Sequence, residues 1–178
     1  SITNKMSKTF GVSFISSFIP RQCGIATFTN DLADSFNRIQ NGSVLRSNIT
    51  ALNDNPEGYK YSREVKFEIK DKSINDFKEA AYYLNLSDKD ILNLQHEFGL
   101  YGGEAGSHIL YLLENLKKPV VTTLHTVLQH PNEDQLKVIR EIGRYSSYMV
   151  VQSEKAYGML SEVYGIPSEK IKYIPHGA

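Results

Sequence analysis

The residues able to do chemistry in this chain fall into a few short segments. His125 closes the apolar run VVTTLHTV. An imidazole in that place can donate to a phosphate or a sugar hydroxyl, or exchange a proton near neutral pH. Bonded to a neighbouring carbonyl, the same histidine would be structural. His96 and Glu97 follow the run ILNLQ, and adjacent residues of an extended strand point to opposite faces, so one of the two is expected to meet a ligand. Glu97 suits sugar hydroxyls or base chemistry; it suits a helix cap or an ion pair equally well. Gly24 stands just before a helical pattern, with Arg21 and Ile25 in the same turn. Glycine there admits a close backbone approach, and a helix N-terminus offers N–H groups to an anion such as phosphate; a plain turn needs the same residue. The glycine-rich YGGEAG, carrying Tyr101 and Gly102, also precedes a helix and reads as a mobile loop, an anion nest or a connector. Tyr101 is placed there to stack on a sugar ring. Thr126 and Ser153 each follow an apolar run.

Other chemistries find less support. His96, Glu97, His125 and His130 have metal-ligating side chains, but no H-E-x-x-H or other paired helical spacing joins them, so no metal is expected. The lone Cys23 excludes an intramolecular disulfide and a cysteine-based zinc site. Beside Arg21 it reads as a buried thiol rather than a catalytic thiolate. Ser107 and Ser153 lack the G-x-S-x-G elbow of serine hydrolases, and the G-x-G-x-x-G dinucleotide fingerprint is missing. Lys and Arg number 20 and Asp and Glu 20, so no basic field exists to hold nucleic acid.

These residues need elements to position them. The chain alternates apolar, β-branched runs at 9–19, 44–52, 63–70, 90–98, 118–127, 148–153 and 169–177 with helical spacing at 27–40, 74–86, 105–116, 132–146 and 154–165. Asn41-Gly42 stops the first helix. In REVKFEIK, Val65, Phe67 and Ile69 alternate with charges, as in a half-buried strand at a sheet edge. Such alternation predicts an α/β domain: a doubly wound, mostly parallel, Rossmann-like sheet of seven strands with helices on both faces. Residues 1–7 read as a frayed tail or an expression remnant, and 8–178 as the domain. No apolar run approaches the roughly 20 residues of a membrane helix, and the N-terminus lacks a signal pattern. The expected setting is cytoplasmic, without an integral membrane segment. Ligands of open α/β sheets bind beyond the carboxyl ends of the strands. That puts the loops at 20–26, 96–106, 124–127 and from 153 on one rim.

The segments PRQCGIATFTNDLADSF, PVVTTLHTV and YMVVQSEKAYGMLSEVYGIPSEKIKYIPHGA, taken in order, resemble the N-terminal domain of retaining GT-B glycosyltransferases of family 4, also called group 1. The resemblance covers residues 9 to 178. In that family a first strand leads into a glycine loop and a helix, and a later strand ends in Thr-x-His. A strand–Ser–helix unit follows, then a short strand ending in Ile-Pro-His-Gly or Ile-Pro-Asn-Gly. The resemblance implies transfer of a sugar, mannose among the candidates, from a UDP- or GDP-sugar to a sugar or other hydroxyl acceptor. Configuration is retained, with no bound metal and no permanent cofactor. It matches His125 to a histidine near the donor sugar and Gly24 to the glycine loop, whose usual first glycine stands here as Cys23. His96, Glu97 and Tyr101 lie where acceptor contacts arise. The family's C-terminal domain, which holds most of the donor, is not within these residues, so the 178-residue chain is expected to be inactive alone. Two other readings stand beside this one. One is a phosphate-ligand binding or regulatory module, although a receiver domain would want acidic residues where Arg21 and Gln22 stand. The other is half of a GT-B epimerase or phosphorylase.

Overall fold

The computed structural model describes residues 9–38 and 44–175. The tail at 1–7, the Asn41-Gly42 stop and the closing His176-Gly177 lie outside them. The elements run β1 (Thr9–Ser16), α1 (Gly24–Arg38), β2 (Val44–Asn53), β3 (Val65–Lys70), α2 (Ile74–Leu86) and β4 (Ile91–His96), then α3 (Ile109–Asn115), β5 (Val120–Leu124), α4 (Glu133–Tyr145), β6 (Tyr148–Val151), α5 (Glu154–Glu162) and β7 (Ile171–Tyr173). The strands form a seven-stranded sheet in the order β3-β2-β1-β4-β5-β6-β7, every pair parallel. The fold is a Rossmann-like α/β domain. Among the described residues no helix is long and apolar enough to cross a membrane.

Strand alternation divides the core into two. Val12 and Phe14 of β1, with Ile49 and Ala51 of β2, pack with Ala33, Leu32 and Phe36 of α1. Ile15, Leu52, Leu92, Leu94, Val120, Leu124, Met149 and Val151 face the other way, onto the buried sides of α2, α3, α4 and α5. In α2 those are Phe77, Ala80, Ala81 and Leu84, one stripe of a 3.6-residue helix. Polar caps set the helix starts: Ser73 accepts from the Asp76 N–H, Ser153 from the Ala156 N–H, and Asn132 with Gln135 forms a reciprocal capping box. Four helices thus lie on one face and α1 on the other. Beyond α1 none of the described helices covers the second face, where Tyr148 is exposed with Lys172 over its ring at 5.0 Å.

Several boundaries differ from the sequence expectation, and three of them have a clear local reason. The first strand was expected through Ile19 but ends at Ser16, and the chain turns, with the Arg21 N–H on the Phe18 carbonyl. α1 starts at Gly24, three residues before the apolar spacing begins, because Cys23 caps it. The Cys23 Sγ accepts from the Ala26 N–H and its carbonyl from the Thr27 N–H. The expected helix at 105–116 is broken: a 3-10 turn at Glu104–Gly106 contains Ala105 at φ 54° and Gly106 at φ 76°, and α3 begins at Ile109.

The strand order matters most for the site. β1 pairs with both β2 and β4, and the connections leaving β1 and β4 run to opposite sides of the sheet. Between them a parallel sheet opens a crevice at its carboxyl edge.

Candidate functional site

A cleft of about 470 Å³ lies at that switch point. Cys23, Gly24 and Ile25 line it from the start of α1, Glu97, Phe98 and Leu100 from the loop after β4, and His125 from the residue just past β5. Segments 100 residues apart meet here because β1, β4 and β5 are adjacent in the sheet.

His125 is fixed from three sides. Its backbone N–H donates to the His96 carbonyl at 3.0 Å, extending the β4–β5 ladder by one step. Its Nε2 lies 2.7 Å from Oε1 of Gln95. The Phe28 ring stands edge-on to the imidazole, with centroids 4.9 Å apart. Next to it, the Thr126 hydroxyl donates to Oε2 of Glu97 at 2.8 Å, tying the loop after β4 to the loop after β5.

The start of α1 forms another wall. The first amides of a helix have no carbonyl one turn back to bond. Cys23 takes up those of Ala26 and Thr27, and Gly24 and Ile25, the first residues of the helix, line the cleft at the positive end of the helix dipole. A Cβ built on Gly24 would meet nothing within 4 Å. The space beside this glycine is therefore open.

Of the residues singled out from sequence, Gly24, Ile25, Glu97 and His125 line the cleft, and Thr126 adjoins it through Glu97. The others lie elsewhere. His96 is 1% exposed, on the interior face of β4, against Tyr101 and Phe98. Tyr101 was expected on the rim, but it is 2% exposed and its hydroxyl donates inward to the carbonyls of Gln95 at 2.7 Å and Ile15 at 3.3 Å. Gly102 abuts Asp71, and the His108 N–H is bonded to its carbonyl, so the loop expected as a mobile loop, an anion nest or a connector is fastened to the entry of α2. Arg21 turns toward β2, donating to the Leu52 carbonyl and pairing with Asp54 at 3.6 Å. Ser153 spends its hydroxyl on capping α5. Among the described residues no three His, Cys, Asp or Glu side chains converge as a metal site would require.

The sequence reading passed over Gln95, Phe28, Phe98 and Leu100. Gln95 gave one usable signal: it shares a strand face with Asn93, and its parallel partner on β5 is Thr123, two residues before His125.

Two measurements follow from these placements. A Cβ on Gly102 would lie 1.8 Å from the Asp71 carbonyl oxygen, which is backbone and cannot step aside. Gly102→Ala is therefore expected to lose about 2–3 kcal/mol in denaturant unfolding, and Gly24→Ala to lose nothing. Burial, helped by the nearby His125, pulls the His96 imidazole down to about 4. The unfolded chain then binds the proton that the fold refuses. Stability is unaffected by His96 above pH 6.5 and falls as pH drops toward 4, by up to ~3 kcal/mol. Thermal melts at pH 7 and 4.5 should show His96→Phe losing less Tm than the parent; equal losses would assign the acid sensitivity to another group.

No curated protein matches the chain. Residues 75–178, more than half of the sequence, match Glycosyltransferase Family 4. The matched region takes in Glu97, His125 and Thr126 but begins after the Gly24 turn. The chain belongs to glycosyltransferase family 4.

Proposed function

We propose that this domain is the acceptor-side half of a retaining glycosyltransferase. A second domain would close over the cleft and bring most of the contacts to a UDP- or GDP-sugar donor. The observation that carries this reading is the meeting of His125 with the open N-terminus of α1 in one cleft at the β1–β4 switch point. Each wall suits one part of the reaction. The Gly24 and Ile25 amides suit the negative charge that builds on a departing diphosphate, since fixed donors need no reorganisation as that charge develops. His125 suits a sugar hydroxyl near the reacting carbon, and Glu97 suits acceptor hydroxyls. The cleft is walled by one domain only, and closure by a partner domain would exclude water and strengthen every such contact.

The test is made on the full-length enzyme with its donor and acceptor. His125→Ala is expected to lower kcat by about 100-fold or more while leaving the melting temperature near that of the parent. Gly24→Leu should fold equally well and lose activity, because it adds bulk at a residue that lines the cleft. A loss below about fivefold in both variants would remove this cleft from the chemistry. Residues 1–178 alone should turn over neither UDP- nor GDP-sugars; measurable transfer by them would overturn the half-site reading.

A further inference from the structure

We propose that Gln95 is a positioning residue that sets the tautomer of His125, holding the proton of the neutral ring on Nε2 and leaving Nδ1 as its basic nitrogen. Gln95 is fully buried at 0% exposure. A glutamine side chain carries one acceptor and two donors and is seldom enclosed unless they are met. Both ends of this amide are met, and by different partners. Its nitrogen donates to Oδ1 of Asn93, and its oxygen lies 2.7 Å from Nε2 of His125.

The order of these two bonds is what fixes the tautomer. In the arrangement found, Asn93 Oδ1 takes the NH₂ end of Gln95 and the carbonyl end faces His125. A carbonyl oxygen can only accept. The imidazole nitrogen facing it must therefore carry hydrogen, and in a neutral ring that leaves the lone pair on Nδ1. Were the amide reversed, the NH₂ group would demand a lone pair on Nε2 and force the proton to Nδ1.

The fold makes this relay from strand geometry. Leu92 and Leu94 face the large core and Ile91 the smaller one, so Asn93 and Gln95 project on the α1 side of β4. β5 runs parallel, with Gln95 opposite Thr123. Two residues on, His125 emerges on the same side, one side-chain length from the amide. The backbone bond from His125 N–H to the His96 carbonyl holds the two strands at that register.

The tautomer is read from the two hydrogen bonds of the Gln95 amide; its effect on turnover rests on the transferase reading above. Nitrogen-15 NMR of the full-length protein, selectively labelled at histidine and held above the His125 titration, reports the tautomer directly. The parent should show a protonated Nε2 and an unprotonated Nδ1 at His125. Gln95→Leu removes the acceptor and should give a mixture of tautomers. Gln95→Glu keeps an acceptor at the same reach and should keep the parent pattern, which also guards against a leucine variant that fails to fold. On the transferase reading, Gln95→Leu should lower kcat roughly tenfold or more, as loss of an orienting partner to a functional histidine does, with KM little changed. Gln95→Glu should restore most of that loss. A parent spectrum with the proton on Nδ1, or the Nε2 pattern unchanged in Gln95→Leu, would overturn the proposal. The expected spectra with unchanged kcat in Gln95→Leu would uphold the tautomer assignment and count instead against a catalytic His125.

Discussion

The cleft depends on what happens where β1 and β4 separate. Their pairing runs from Val12 opposite Ile91 to Ile15 opposite Leu94, and beyond that the two chains leave toward opposite faces. The backbone carbonyls of Ile15 and Gln95 lie at this parting. The Tyr101 hydroxyl reaches both. The phenol is buried, and burial keeps it protonated by pushing its pKa well above the ordinary value, so it remains a donor across the working pH range. One side chain from the loop after β4 thus closes the floor of the crevice. It also anchors the backbone of Gln95, the residue whose side chain meets His125.

The loop that carries Tyr101 has to be rigid for this to work, and its glycines serve rigidity rather than motion. Gly103 and Gly106 have φ of 82° and 76°, conformations that side chains resist. Gly102 lets the chain pass against Asp71, where His108 makes a bond through Nδ1. His96 stacks on Tyr101 with planes 15° apart and Phe98 edge-on beside it. Both His96 ring nitrogens are without partners among the described residues, a cost the fold bears most easily when the imidazole is neutral. The result is an aromatic platform beneath the cleft.

These facts explain which parts of the site were legible in the sequence. Periodicity located every strand and helix, because alternation and the 3.6-residue stripe are written locally; α2 matches its expected span of 74–86. His125 and Gly24 were legible because each sits where a strand or turn gives way to a loop. Strand alternation said that one of His96 and Glu97 would be interior, but which one depends on which face α2 and α3 cover, a matter of topology. Tyr101 was misplaced because a glycine-rich neighbourhood resembles a solvent loop until its contact with Asp71 is known. Gln95 was missed because its partner is 30 positions away, brought near only by parallel register. Cys23 was missed as a cap because hydroxyls and carboxylates are the usual caps, whereas here a sulfur performs the same acceptance.

The cleft is also electrically divided. At one end stand the amides of α1, with the positive pole of the helix behind them. The loop after β4 contributes Glu97, whose carboxylate is held by the Thr126 hydroxyl. A phosphate approaching from solvent is drawn to the first and repelled by the second, while uncharged hydroxyls can donate to a carboxylate without penalty. A ligand with a charged group and a sugar has one favourable orientation in such a field: charge over Gly24, hydroxyls toward Glu97 and His125. Reversing it would set two negative charges together where water is partly displaced and screening is weak. On the proposed transferase reading, the walls would orient a sugar phosphate before a second domain arrives, and a closing domain would have only to exclude water and add donors where the leaving charge develops.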